Sequence, residues 1–310
     1  GENPMDRNTV NWRGPFTAMV TPFDADGAID EDAFRRVIEF LIAQGVGGVV
    51  ANGCTGEFWA QTTDERKRVV ALAVEAVAGR IPLIAGTGAI RTADVIELTA
   101  HAKEVGCDGA MIIPPYFVKP SVEDVIAHYE AVSDAVKIPV MLYNLPSASY
   151  NLTPDLVGRL ADVDTVVAIK DSSFDFNNFY LTQLQAGDRI RVLIGPSTMF
   201  GVAAMKLGAE GWIDTYSNIW PELTVELFRA IEAGDDATAV PLQATGLEYR
   251  LFMTENGRTM YPATKAAMNI RGLPGGYPRL PLKPLGEPHL TELRDGLKRF
   301  GASVLEAAAE

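Results

Sequence analysis

Residues 166–173 read VVAIKDSS, and their first four positions show no apolar–polar alternation. A strand packed on one face alternates; an unbroken run such as Val166, Val167, Ala168 and Ile169 fits a strand covered on both faces, as in a parallel sheet. Lys170 closes the run. Two readings of that lysine stand open. Its long stem can carry the ammonium to water, or the amine is desolvated, with the lowered pKa that Schiff-base chemistry uses.

Seven further short apolar runs share this form: FTAMV (16–20), GGVVAN (47–52), IPLIAG (81–86), GAMIIP (109–114), IPVMLYN (138–144), RVLIG (191–195) and GWID (211–214). Between them apolar residues recur at helical spacing, as at Phe34, Val37, Ile38, Leu41 and Ile42, then Val69, Val70, Leu72, Ala73 and Val77. Strand and helix repeated eight times predict an α/β chain of the (β/α)8 TIM-barrel type. An open doubly wound sheet is the rival, but no GxGxxG follows the first strand. Thr63, Thr92 and Ser121 stand where helix N-caps are expected, and Gly45, Gly79 and Gly106 where helices end. The expected boundaries are an N-terminal tail over 1–12, the barrel over 13–220 and a C-terminal helical extension over 221–310. ELTVELFRAIEAG, TKAAMNI and LTELRDGLKRF supply helices of that extension, packed on the barrel.

With 47% hydrophobic and 22% charged residues, a chain of 310 can bury a large core. Its 40 acidic against 27 basic residues give a formal charge of −13, the wrong sign for a nucleic-acid partner. No apolar stretch approaches the length of a membrane helix, and the polar start, ahead of an initiator-like Met5, does not read as a signal peptide. Cys54 and Cys107 form no CxxC pair, so neither a disulfide nor a zinc site is expected, and a reducing cytoplasm is the default. His101, His128 and His289 show no HxH or HExxH spacing and no GxSxG occurs. Metal-dependent and serine-hydrolase chemistries are thereby disfavoured, and no metal or cofactor is expected.

In a barrel of this type the carboxyl ends of the strands carry the chemistry. Lys170 ends the sixth run and Tyr143 nearly ends the fifth, so the two should be neighbours; alone, Tyr143 reads equally as a core residue. After the second run comes NGCTGE (52–57), whose glycines let backbone amides approach a carboxylate, although tight turns use the same residues. AGTG (85–88) and IGPS (194–197) end the third and seventh runs and read as room more than contact.

GPFTAMVTPF (14–23), NGCTGE, YNLP (143–146), VVAIKDSS and GAEGWIDTYSN (208–218) stand in the order found in the dihydrodipicolinate synthase and N-acetylneuraminate lyase superfamily. The chain resembles that superfamily from about Trp12 to PLKPLG at 281–286. The resemblance implies a class I aldolase or lyase in which Lys170 forms an imine with the keto carbon of pyruvate or a pyruvate-derived 2-keto acid. Tyr143 would move protons, and Gly53, Cys54, Thr55 and nearby amides would hold the keto acid's carboxylate. Ile213, Ser172, Ser173, Ser197, Asp214 and Ser217 are further lining. The resemblance also implies a homo-oligomer, dimers pairing into tetramers, with Tyr116 and Phe117 near the tight interface.

Three departures bear on the substrate. Ala148 stands where the synthase branch has an arginine for the aldehyde's carboxylate. Cys54 replaces a hydroxyl residue, and a thiol is a poorer hydrogen-bond link. Phe117 replaces the tyrosine that enters a neighbour's proton relay. The acidic sugar-binding residues of the sialic acid lyase branch are Pro196, Ser197 and Thr198 here. The leading expectation is a Schiff-base lyase making or breaking a carbon–carbon bond next to a 2-keto acid, with an aldehyde as partner substrate. A dehydratase or deaminase working through the same imine, the 4-hydroxy-tetrahydrodipicolinate synthase itself, and a non-catalytic binding barrel are the alternatives.

Overall fold

The computed structural model describes residues 4–301. Eight parallel strands form a closed barrel: β1 (Gly14–Ala18), β2 (Gly48–Ala51), β3 (Leu83–Gly86), β4 (Gly109–Ile112), β5 (Val140–Asn144), β6 (Val166–Asp171), β7 (Arg191–Ile194) and β8 (Gly211–Asp214). Each pairs with the next, and β8 returns to β1 in a register running from Gly14↔Gly211 to Thr17↔Asp214. The helices between them are α1 (Glu31–Gln44), α2 (Thr63–Val77), α3 (Thr92–Val105), α4 (Val122–Ala135), α5 (Pro154–Leu160), α6 (Phe176–Ala186), α7 (Ser197–Lys206) and α8 (Pro221–Glu232). The chain is a (β/α)8 TIM barrel. Every residue of β6 is buried, as an unbroken apolar run requires when helices cover one face and the barrel interior the other.

The interior is filled by side chains from alternate positions, among them Phe16, Val50, Met111, Met141 and Leu193. Two glycines make that filling possible. A Cβ on Gly48 would come within 2.1 Å of the Phe16 ring, and one on Gly109 within 2.4 Å of the Trp12 ring. Trp12, 1% exposed, plugs the end of the barrel where the strands begin. The segment ahead of it is pinned there by Arg191, whose Nε donates to the carbonyls of Arg7 and Val10 at 2.8 and 2.9 Å.

Two of the three expected caps shift by one residue. Thr62, not Thr63, caps α2: its oxygen accepts from the Glu65 amide while the Glu65 carboxylate accepts from the Thr62 amide. Such a reciprocal box needs an acid three residues on, which Thr62 has and Thr63 lacks. Thr92 is already helical, and its hydroxyl lies 2.9 Å from His128 Nδ1. Ser121 caps α4 through the same kind of box with Asp124. Gly45 and Gly106 terminate their helices in the left-handed region, whereas Ala78 occupies that position ahead of Gly79.

Beyond β8, α8 packs on β1 and α1 and so completes the ring of eight helices. The region from 221 onward therefore opens with a barrel helix, and α9 (Asp236–Met253), α10 (Met260–Ile270) and α11 (Glu287–Arg299) follow it. Among the described residues no helix is long and apolar enough to cross a membrane.

One buried ion pair ties this C-terminal region to the barrel. Glu57, at the end of NGCTGE, and Lys265, on α10, are both fully buried and lie 2.5 Å apart. Lys265 Nζ also donates to the carbonyls of Thr21 and Tyr277 at 2.7 and 2.8 Å, and the Arg279 amide donates to the second Glu57 oxygen at 3.0 Å. Lys265→Met would leave a buried carboxylate without its cation. It should cost about 3–5 kcal/mol in urea unfolding, and the double change Glu57→Gln with Lys265→Met should recover a large part of that loss. Equal stability of the single and double variants would rule the pairing out as the cause.

Candidate active site

Lys170 and Tyr143 are direct partners in the register of β6 and β5, so they stand side by side at the same height. Lys170 Nζ sits 4.3 Å from the centroid of the Tyr143 ring. Both face a cavity of about 160 Å³ at the carboxyl end of the barrel, walled also by Thr55, Ser197 and Asp214. The lysine is 6% exposed, and among the described residues no carboxylate lies within ion-pair distance of its amine. Burial lowers its pKa to about 8, while the proximity of Cys54 and Asp214 works the other way. The water-seeking reading of Lys170 is therefore set aside.

Lys265 provides a control within the same fold. Burial also takes its pKa to about 8. Its three donors, however, are spent on Glu57, Thr21 and Tyr277, so it has no freedom to act as a nucleophile.

Burial pushes the Tyr143 phenol well above its ordinary pKa, helped by Cys54 and Tyr261, with the Ser172 hydroxyl pulling back. The phenol thus keeps its proton at neutral pH. The Cys54 thiol is itself pushed up by burial, against the pull of Lys170 and Tyr143. It stays protonated. Thr55 Oγ1 lies 2.8 Å from Thr215 Oγ1. Cys54–Gly56 form a single tight helical turn, and among the described residues the Cys54 and Thr55 amides donate to no backbone carbonyl. Such first-turn amides are available to an anion.

Asp214 is not a free acid. Its Oδ2 accepts from Ser197 at 3.0 Å and Thr224 at 3.3 Å, and its Oδ1 from the Ser217 amide at 2.8 Å. Burial still raises its pKa against those bonds. It works as a fixed acceptor that locks the ends of β8 and α7 together. Ile213 and Ser172 line the cavity as expected, Ser172 with its amide on the Asn144 carbonyl at 2.8 Å. At the strand ends that read as room, the glycines instead permit close contact. A Cβ on Gly195 would meet Ser172 Oγ at 2.0 Å, and one on Gly86 the Asn52 carbonyl at 2.1 Å.

Several expected residues lie elsewhere. Ser173 is half-buried outside the cavity, bonded to Asp171 and Asp175. Ser217 supports Asp214 from behind and does not reach the cavity. Gly53 lines a narrow crevice behind Cys54 and Tyr143. Tyr116 is half-buried edge-on against Phe58, and Phe117 is 94% exposed with a left-handed φ of 70°. Conversely, Arg250 from α9, Tyr261 from α10 and Phe174 from the loop after β6 all line the cavity and carried no signal in the sequence. Arg250 sits in the last turn of α9, where a basic residue reads as ordinary complement to the helix dipole. Among the described residues no three His, Cys, Asp or Glu side chains group to hold a metal.

The family model described as Dihydrodipicolinate synthetase family matches residues 11–300. A 4-hydroxy-tetrahydrodipicolinate synthase of Syntrophobacter fumaroxidans is 38% identical over 94% of this chain and 99% of that protein. Among solved structures, a prophage protein of E. coli K12 from the dihydrodipicolinic acid synthase family, in complex with pyruvate, aligns with a TM-score of 0.90 at 31% identity, covering 94% and 100% of the two chains. An N-acetylneuraminate lyase from Mycoplasma synoviae aligns at 0.84 and 28% identity, covering 94% and 98%. A match of this extent, on a closed barrel that sets an unpaired lysine beside a tyrosine, means that the chain belongs to the dihydrodipicolinate synthetase family.

Proposed function

We propose that the protein is a Schiff-base lyase in which the neutral amine of Lys170 adds to the keto carbon of pyruvate or a pyruvate-derived 2-keto acid. The carrying observation is the Lys170 amine itself: buried, unpaired, near pKa 8 and open to a cavity. The first adduct is a carbinolamine. The Tyr143 phenol gives its proton to the departing hydroxyl, which leaves as water, and an iminium remains. When the carbon–carbon bond beyond the α-carbon breaks, its electron pair enters the iminium as an enamine. The hydroxyl on the departing carbon becomes an aldehyde carbonyl and returns its proton to Tyr143. Read backwards, the enamine attacks an aldehyde. The Thr55 amide, which donates to no backbone carbonyl, and the neighbouring Cys54 amide hold the keto acid's carboxylate in this reading.

Ala148, exposed and uncharged after β5, supports a partner aldehyde different from that of the synthase branch. The exposed Phe117, held in a conformation that costs a non-glycine residue energy, supports an apolar contact with a second copy of this chain. Cys54 and Cys107 are both free thiols, which suits a reducing cytoplasm.

Four experiments test this. Borohydride reduction after incubation with pyruvate should leave an adduct on the peptide containing Lys170, and its absence would remove the imine. The rate of that trapping should rise with pH through about 8 and then level, because only about a tenth of the amine is neutral at pH 7. The same depressed pKa should make the fold gain stability as pH rises from about 8 toward 10.5, where the unfolded chain still holds a proton the folded one has released. Tyr143→Phe keeps the ring over the amine and removes the proton donor, so turnover should fall about 10²- to 10⁴-fold; unchanged turnover would take Tyr143 out of the mechanism. Light scattering should find a dimer or tetramer that Phe117→Asp weakens, and a monomeric wild type would end the interface reading.

A further inference from the structure

The cavity at the barrel mouth holds two cations, and the mechanism uses one. The other, Arg250, projects from the last turn of α9 into the same space as Lys170. Its guanidinium lies over the Phe174 ring at 4.9 Å, and that ring is carried by a residue with a left-handed φ of 60°. Stacking on an aromatic face fixes the plane of the group while leaving its N–H edge free. Five donors lie in that edge. Among the described residues the one acceptor within reach of them is the Met199 thioether, 3.6 Å from Nη1, among the weakest acceptors a protein offers. Among the described residues no carboxylate lies within ion-pair distance of Arg250. The one carboxylate in the cavity wall, Asp214, already accepts from Ser197, Thr224 and Ser217.

A positioned cation with an unfilled donor edge, in a cavity whose own acid is occupied, is arranged for an anion from outside. We propose that Arg250 binds a second anionic group on the substrate, at the end remote from the keto carbon. The substrate class is then a 2-keto acid with a terminal carboxylate or phosphate. The proposal rests on the imine reading of Lys170, since that bond fixes which end of the substrate faces inward. It also accounts for Ala148: the cation that reads the far end comes from α9 and not from the loop after β5.

Imine trapping tests this whatever bond is later broken. Half-maximal trapping at Lys170 is compared for 2-oxoadipate and 2-oxohexanoate, equal in length and differing in the terminal carboxylate. A second pair is 2-keto-3-deoxygluconate with and without a 6-phosphate. The wild type should favour the anionic member of at least one pair by about tenfold or more. Arg250→Gln should bring that ratio close to one, and Arg250→Lys should restore part of it. Because the ratio is read within each protein, a general loss of activity does not imitate the effect. The pair with the larger Arg250-dependent ratio identifies carboxylate or phosphate. If pyruvate traps but neither pair shows a preference, or a preference survives Arg250→Gln, or none of the longer acids traps, the Arg250 proposal is overturned while the imine stands. If pyruvate does not trap either, both fall.

Discussion

An amine buried without a counter-ion organises the active end of this protein. In water an ammonium is held by solvent; at the mouth of the barrel Lys170 has lost most of that solvent and gained no carboxylate in return. The free energy of a desolvated charge is lowered by releasing the proton, so the fold itself prepares the neutral amine. Lys265 shows the alternative outcome in the same molecule. It is equally withdrawn from water, but its donors are filled, and it serves as a fastener. The difference between an unpaired amine and a brace lies in what surrounds the nitrogen.

Much of this was readable in the chain. The unbroken apolar runs located the strands, because a strand buried on both faces cannot alternate, and the positions of Lys170 and Tyr143 at neighbouring strand ends made them a pair before any coordinate was considered. The α2 cap was read one residue late, at Thr63, although the spacing from Thr62 to Glu65 selects the other of the two adjacent threonines. Arg250, Tyr261 and Phe174 were not readable. Helices α9 and α10 return over the barrel mouth after the last strand, and nothing in their periodicity says which turn comes to rest there. Ser173 and Ser217 were misplaced for a related reason. A polar residue next to a strand end can face the cavity or the rim, and single-residue rotations at the end of a strand decide which.

The acid–base groups around the cavity differ in the work they can do, although burial acts on all of them in the same sense. Tyr143 and Cys54 stay protonated, and only Tyr143 has a hydroxyl to exchange with a substrate oxygen. Asp214 is saturated with donors and holds β8 against α7. With the thiol protonated and the acid committed to its donors, the phenols of Tyr143 and Tyr261 are left among the hydroxyls that face the cavity.

Glu57 and Lys265 are separated by more than two hundred residues of chain, yet they share one buried contact. During synthesis the eight strands are complete once Asp214 has emerged, but Glu57 then still lacks its cation. The loop that carries Cys54 and Thr55 is secured only after α10 has left the ribosome and folded back across the barrel. A chain released early would have its barrel strands and its lysine while missing the brace beneath the Cys54–Gly56 turn. Completion of the site is thus coupled to the synthesis of α10, well after the last strand.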